Sequence, residues 1–193
     1  MKTRILLWIG IFTISFSCSN DKLLEENNDS INLQEKALLT PLTSDFSKEN
    51  LKVFSKSSNA KAITRTIKFH RASGIFDFVY PSTECSPFIQ VLIIGNGNGT
   101  FLGNIEVINK YCFDGEEPVG PIYGFLTAAN GDEIFTQMIG AEEVPAPEIS
   151  NFEYVILGGT GRFEGASGWI QLNGTVDRVN FLWNLEGEGE ITF

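Results

Sequence analysis

From about residue 62 onward, apolar side chains recur at every second position. Ile63, Ile67 and Phe69 share one parity, Phe76 and Phe78 flank Asp77, and Ile89, Val91 and Ile93 alternate, as do Phe101, Ile105 and Val107. Ile134 and Met138, then Phe152, Tyr154 and Ile156, then Ile170 and Leu172 continue the pattern, and Val179, Phe181, Trp183 and Leu185 oppose Asn180, Asn184 and Glu186. Successive side chains of a strand point to opposite faces, so this period describes strands with one face buried. Glycine-containing turns are predicted at Gly95-Asn96-Gly97-Asn98-Gly99, Asn130-Gly131-Asp132, Gly158-Gly159-Thr160-Gly161 and Asn173-Gly174, because Asn and Gly tolerate positive φ. Gly187 and Gly189 are expected to let the long final strand bend. About eight short antiparallel strands leave an all-β sandwich or a closed β-barrel, and closure removes the sheet edges.

Composition sets the domain limits. Of the 19 glycines 18 lie beyond residue 68, as do 12 of the 16 phenylalanines, which places the barrel in residues 61–193. Residues 18–60 are rich in Ser, Asn, Glu and Lys and read as a flexible linker, with one short amphipathic turn available to Leu33, Ala37 and Leu38. Asp29-Ser30-Ile31 resembles a short bacterial O-glycosylation acceptor, a match that three residues also make by chance. The net charge of −10 repels phosphate, so nucleic acid is not an expected partner.

The N-terminus reads as an export signal. Lys2 and Arg4 precede an uncharged apolar run from Ile5 to Phe16, shorter than the roughly 20 residues that span a bilayer. Ser15-Phe16-Ser17-Cys18 ends it. Residues 1–17 resemble a bacterial lipoprotein signal cleaved before Cys18, whose thiol would carry the lipid; the alternative is ordinary cleavage after Ser17. Each acyl CH₂ buried contributes about 0.8 kcal/mol, so several chains hold a protein at a bilayer without a transmembrane helix. The expected location is the bacterial cell envelope, as an outer-membrane or cell-surface lipoprotein, with a periplasmic or secreted protein as the alternative.

The run Tyr154-Val155-Ile156-Leu157-Gly158-Gly159-Thr160-Gly161-Arg162-Phe163-Glu164-Gly165-Ala166-Ser167-Gly168, followed by Phe181-Leu182-Trp183-Asn184-Leu185-Glu186-Gly187, resembles the C-terminal half of the allene oxide cyclase and dirigent barrel group. It is also similar to exported bacterial proteins of that barrel type, which carry segments like Gly99–Gly103 and Ala129–Asp132. The resemblance covers roughly residues 90–193. It implies an eight-stranded antiparallel barrel, sometimes with an apolar pocket at one mouth, and plant members act on oxidised lipids or guide phenolic coupling. The polar motif on which that activity relies has no counterpart in residues 61–95, so no catalytic residue is carried over. Physically, Gly158–Gly161 suit a tight turn and Phe163 suits a core plug. A phosphate-binding reading of these glycines fails for want of a Lys and a following helix.

Few residues offer chemistry. His70 is the only imidazole and has no nucleophile beside it in sequence, so a surface or rim position is expected. Cys85 and Cys112 are expected to form a disulfide in an oxidising compartment. The pairs Glu116-Glu117, Asp132-Glu133 and Glu142-Glu143 follow no calcium-loop spacing, and no metal or cofactor is assigned. Pro118, Pro121, Pro145 and Pro147 mark two longer connections, Gly115–Pro121 and Gly140–Ser150, that are expected to form a barrel mouth. Their neighbours Phe113, Tyr123 and Phe152 are the candidate ligand-binding residues. The first functional expectation is a non-catalytic exported lipoprotein whose barrel binds a small apolar ligand or an envelope partner. The second is a cyclase- or isomerase-like enzyme with a hydrophobic substrate, and the third is a structural surface-interaction domain with a filled core.

Overall fold

The structure is a computed structural model that describes residues 33, 35–37, 62–144 and 149–193, with backbone only at 143, 144 and 149. The signal at 1–17, Cys18, Asp29-Ser30-Ile31, Leu38, Pro145 and Pro147 lie outside the described residues. Eight strands follow one another: β1 (Thr64–Val79), β2 (Ile89–Gly99), β3 (Gly103–Phe113), β4 (Pro118–Thr127), β5 (Glu133–Val144), β6 (Ile149–Gly159), β7 (Ser167–Asp177) and β8 (Leu182–Thr192). Each pairs antiparallel with its chain neighbour, and β8 returns to β1, so the sheet closes as a barrel. In β1, Thr64–Ile75 pair with β8 and Phe69–Val79 with β2, and a bulge near His70 and Arg71 interrupts both ladders.

The period of two places one parity inside. Phe69, Val107, Tyr154, Ile156, Ile170, Trp183 and Leu185 all belong to the interior cluster. Two of the expected turns fall elsewhere. Gly95 to Gly99 lie within β2, with Asn96 and Asn98 exposed, and the reversal comes at residues 100–102. Asn173-Gly174 lies within β7, and the chain reverses after Asp177. In β2 glycine holds alternate positions, with Gly95 and Gly97 against β1, and in β7 Gly174 lies against the Asn184 backbone of β8, so a glycine that permits close strand approach reads locally like a turn. Gly187 and Gly189 have this duty in β8, where a methyl group would strike the carbonyl of Gln171 or Trp169 on β7. They allow the close approach that strong strand coiling requires.

The end of the barrel where β2, β4 and β6 finish is sealed. Phe163, fully buried as the last residue of the 3₁₀ turn Gly161–Phe163, packs edge-on against Phe101 and Phe193, with centroids 6.1 Å away in each case. Phe101 stacks on Phe193 at 5.7 Å, and the guanidinium groups of Arg65 and Arg162 lie 4.9 and 4.8 Å from the Phe101 centroid. Cations over aromatic faces add electrostatic attraction to the packing.

A second apolar cluster lies outside the barrel wall. Leu92, Ile94, Ile108 and Phe125 have the outward parity of β2, β3 and β4, yet all are buried, together with Ala37. Residues 33 and 35–37 are helical, Leu33 and Ala37 are buried, and Lys36 Nζ donates to Glu106 Oε2 at 2.7 Å and Thr127 Oγ1 at 2.9 Å. These residues of the segment read as a linker are therefore seated on the barrel.

The β1–β2 connection is tied to the outer wall at the other end. Lys110 is fully buried and pairs with Glu84 Oε2 at 3.0 Å; Gln90 Nε2 donates to the same oxygen at 2.9 Å. Beside them Cys85 and Cys112 form the disulfide, 27 residues apart. A crosslink closing a loop of that size restricts the unfolded chain, so replacing both cysteines with serine is expected to cost about 3–4 kcal/mol on the chain-entropy model. Urea denaturation checks this. A loss below about 1 kcal/mol would mean that the unfolded chain already holds the loop together.

Candidate ligand-binding cavity

The inward parity does not fill the barrel. Above the sealed base it encloses a cavity of about 540 Å³ whose lining extends to Glu116, Pro118, Arg178 and Phe181 at the opposite end. That volume lies within the range of small-molecule sites, roughly 300–1,000 Å³. One wall is hydrocarbon and aromatic: Ile170 and Leu172 from β7, Leu185 and Trp183 from β8, Phe76 from β1 and Ile93 from β2. The other wall, β3 to β6, carries Asn109, Tyr111, Thr136 and Tyr154 among its apolar neighbours.

The polar groups are held by register. Asn109 of β3 and Thr136 of β5 both pair with Gly124 of β4. A methyl group on Gly124 would collide with Asn109 Oδ1 and Thr136 Oγ1, so the missing side chain lets these two oxygens close over the β4 backbone. Burial pushes the Tyr111 phenol up from its ordinary pKa, opposed by the charge of Arg178. Tyr154 is pushed up by burial first and by the neighbouring Tyr111 second. Both phenols are neutral donors at physiological pH. Among the described residues, the only charged side chains lining the cavity are Glu116 and Arg178, both at the open end. Trp183 Nε1 is the one buried side-chain nitrogen or oxygen without a hydrogen-bond partner among the described residues, a condition that costs about 1–3 kcal/mol.

The mouth is built where β1, β3, β5 and β7 end. Asp114 Oδ1 accepts from the amides of Glu116 and Glu117 at 2.8 and 2.9 Å, fixing the β3–β4 turn. Asp177 Oδ1 accepts from the amides of Val179 and Asn180, both at 2.9 Å, and its Oδ2 accepts from Asn180 Nδ2 at 2.7 Å. The turn so formed presents exposed Val179 and Phe181, and Phe181 packs edge-on against Phe78 with centroids 5.2 Å apart. Hydrogen bonds to the charged form lower both carboxyl pKa values, with the Glu117 amide the main cause for Asp114 and the Asn180 side chain for Asp177. A lowered folded pKa means that the stabilisation is present above the unfolded value, about 3.9, and is lost as pH falls through the folded one. The Val179 and Asn180 amide shifts are therefore expected to titrate with a midpoint below that of a solvated aspartate, and D177A should abolish the transition. A midpoint at or above the ordinary value would contradict the pinning.

Phe113 and Phe152 line the cavity. Tyr123 does not: its neighbour Ile122 takes the inward position, and Tyr123 packs against the outer cluster with Phe125 and Phe135. The two connections expected at the mouth both join strands at that end, although residues 145–148 lie outside the described residues. His70 is exposed at the β1 bulge, away from the cavity lining. Among the described residues, no group of three or more His, Cys, Asp or Glu is placed to hold a metal. No site role is assigned from the sequence to Asn109, Thr136 or Gly124, and Trp183 is expected there only as an inward strand residue. A readable signal existed for the first, since Ile105, Val107, Asn109, Tyr111 and Phe113 form one inward parity broken by an amide.

Fold and cavity together define a closed eight-stranded antiparallel β-barrel with one sealed end and an interior site open at the other. No protein-family model, no curated protein and no solved structure matches this chain.

Proposed function

We propose that this chain is an exported, membrane-anchored lipoprotein whose barrel binds a small apolar molecule without transforming it. The observation that carries the binding half is the cavity of about 540 Å³, lined below its mouth by uncharged, mostly hydrocarbon side chains. Such a surface gains by exchanging water for an apolar solute. The export half is supported by the positively charged start, the apolar run and Cys18 at its end, and by a disulfide of the sort retained in oxidising compartments. The run Gly158–Gly168 supports placing the barrel near the allene oxide cyclase and dirigent group.

Native mass spectrometry of protein purified from its own source tests the binding half. A retained small molecule released on denaturation is the expected result; protein of bare polypeptide-plus-lipid mass that also fails to take up an apolar probe would reject it. Labelled palmitate tests the anchor, and its absence from the protein would remove Cys18 as the acylated residue. The cyclase- or isomerase-like reading is favoured by one specific observation, the four hydrogen-bonding side chains Asn109, Tyr111, Thr136 and Tyr154 on one cavity wall. Conversion of the retained molecule on prolonged incubation with purified protein would support that reading over simple binding.

A further inference from the structure

Resting on the ligand-binding reading above, we infer that the ligand is an uncharged, hydrocarbon-rich molecule bearing carbonyl, ether or hydroxyl oxygen along one edge. The division between the walls of the cavity carries this. Neighbouring strands β3, β5 and β6 supply Asn109, Tyr111, Thr136 and Tyr154, and β4 between them supplies Gly124, which brings the Asn109 and Thr136 oxygens together. Facing them are Leu185, Ile170, Leu172 and Phe76, which offer no polar partner. A purely hydrocarbon ligand would bury the polar groups without hydrogen bonds, and an oxygen-bearing edge would satisfy them. Each of the four can donate a hydrogen bond, which suits an acceptor oxygen. Charge is disfavoured below the rim, because no cationic side chain lines the cavity there to meet a carboxylate. At the rim Glu116 and Arg178 have opposite signs, so the entrance does not select an anion.

The test uses the full chain and displacement of N-phenyl-1-naphthylamine by four molecules of matched length: dodecane, 2-dodecanone, 1-dodecanol and dodecanoate. At near-neutral pH the ketone and the alcohol are expected to displace the dye at concentrations about tenfold lower than dodecane and dodecanoate, the effect of roughly one hydrogen bond in a dry site. Thr136→Val and Tyr154→Phe, which keep side-chain shape, should shrink the ratio of ketone to dodecane affinity, with near-ultraviolet circular dichroism showing that each variant is folded. Equal displacement by all four, preference for dodecane or dodecanoate, or an unchanged ratio in both variants would overturn this inference while leaving a binding cavity. Failure of the dye and of every competitor to bind would overturn the cavity reading with it.

Discussion

Gly124→Val is expected to weaken binding of an apolar dye about tenfold or more, because the new side chain enters the cavity where Asn109 and Thr136 meet. A methyl group alone collides with Asn109 Oδ1 and Thr136 Oγ1, so valine must displace both polar side chains and occupy ligand volume as well. Overpacking a close-packed interior costs about 1–3 kcal/mol, and the strand preference of valine offsets part of that. The fold should therefore survive while binding fails. Dye titration and urea denaturation separate the two effects. Ile139→Ser, at an exposed position on the barrel exterior, is the control expected to bind as the parent does. Parent-like affinity in G124V would place the ligand away from the β3–β5 wall.

The largest expected loss of stability comes from Phe163→Ala, about 3–5 kcal/mol, because a fully buried aromatic side chain is removed from a base with little freedom to collapse. Phe163 meets Phe101 and Phe193 edge-on, and its ring also receives the Arg162 guanidinium at 4.7 Å. Its loss removes the common contact of the 3₁₀ turn, the β2–β3 turn and the chain end. F163L, which keeps most of the apolar volume, should cost much less. Equilibrium unfolding in urea measures both. A loss below about 1 kcal/mol for the alanine variant would contradict a close-packed seal.

The sequence makes the barrel legible through its period of two, since inward residues such as Tyr154, Ile170 and Trp183 occupy the parity expected of them. Phe163 was also readable, as a bulky residue among glycines that has no other use than packing. Three features were harder. The Asn-Gly runs within β2 and β7 look like turns because a turn and a close strand approach both call for glycine. Tyr123 borders the right loop, but burial on both barrel faces means that proximity to the mouth does not reveal which face a side chain takes. Val91-Leu92-Ile93-Ile94 held that clue, since a continuous apolar run signals a strand covered on both sides. The cavity itself is a matter of volume, and no local pattern states whether inward side chains meet at the barrel axis.

Methyl-resolved NMR of the full chain, titrated with N-phenyl-1-naphthylamine, locates the ligand most directly. Saturable shifts are predicted for the inward methyl groups of Ile93, Val107, Leu172 and Leu185, with the outward methyls of Leu92, Ile94 and Ile108 little changed. Shifts confined to the outward set, or no shifts at dye saturation, would show that the interior of the barrel is not where this protein takes up an apolar molecule.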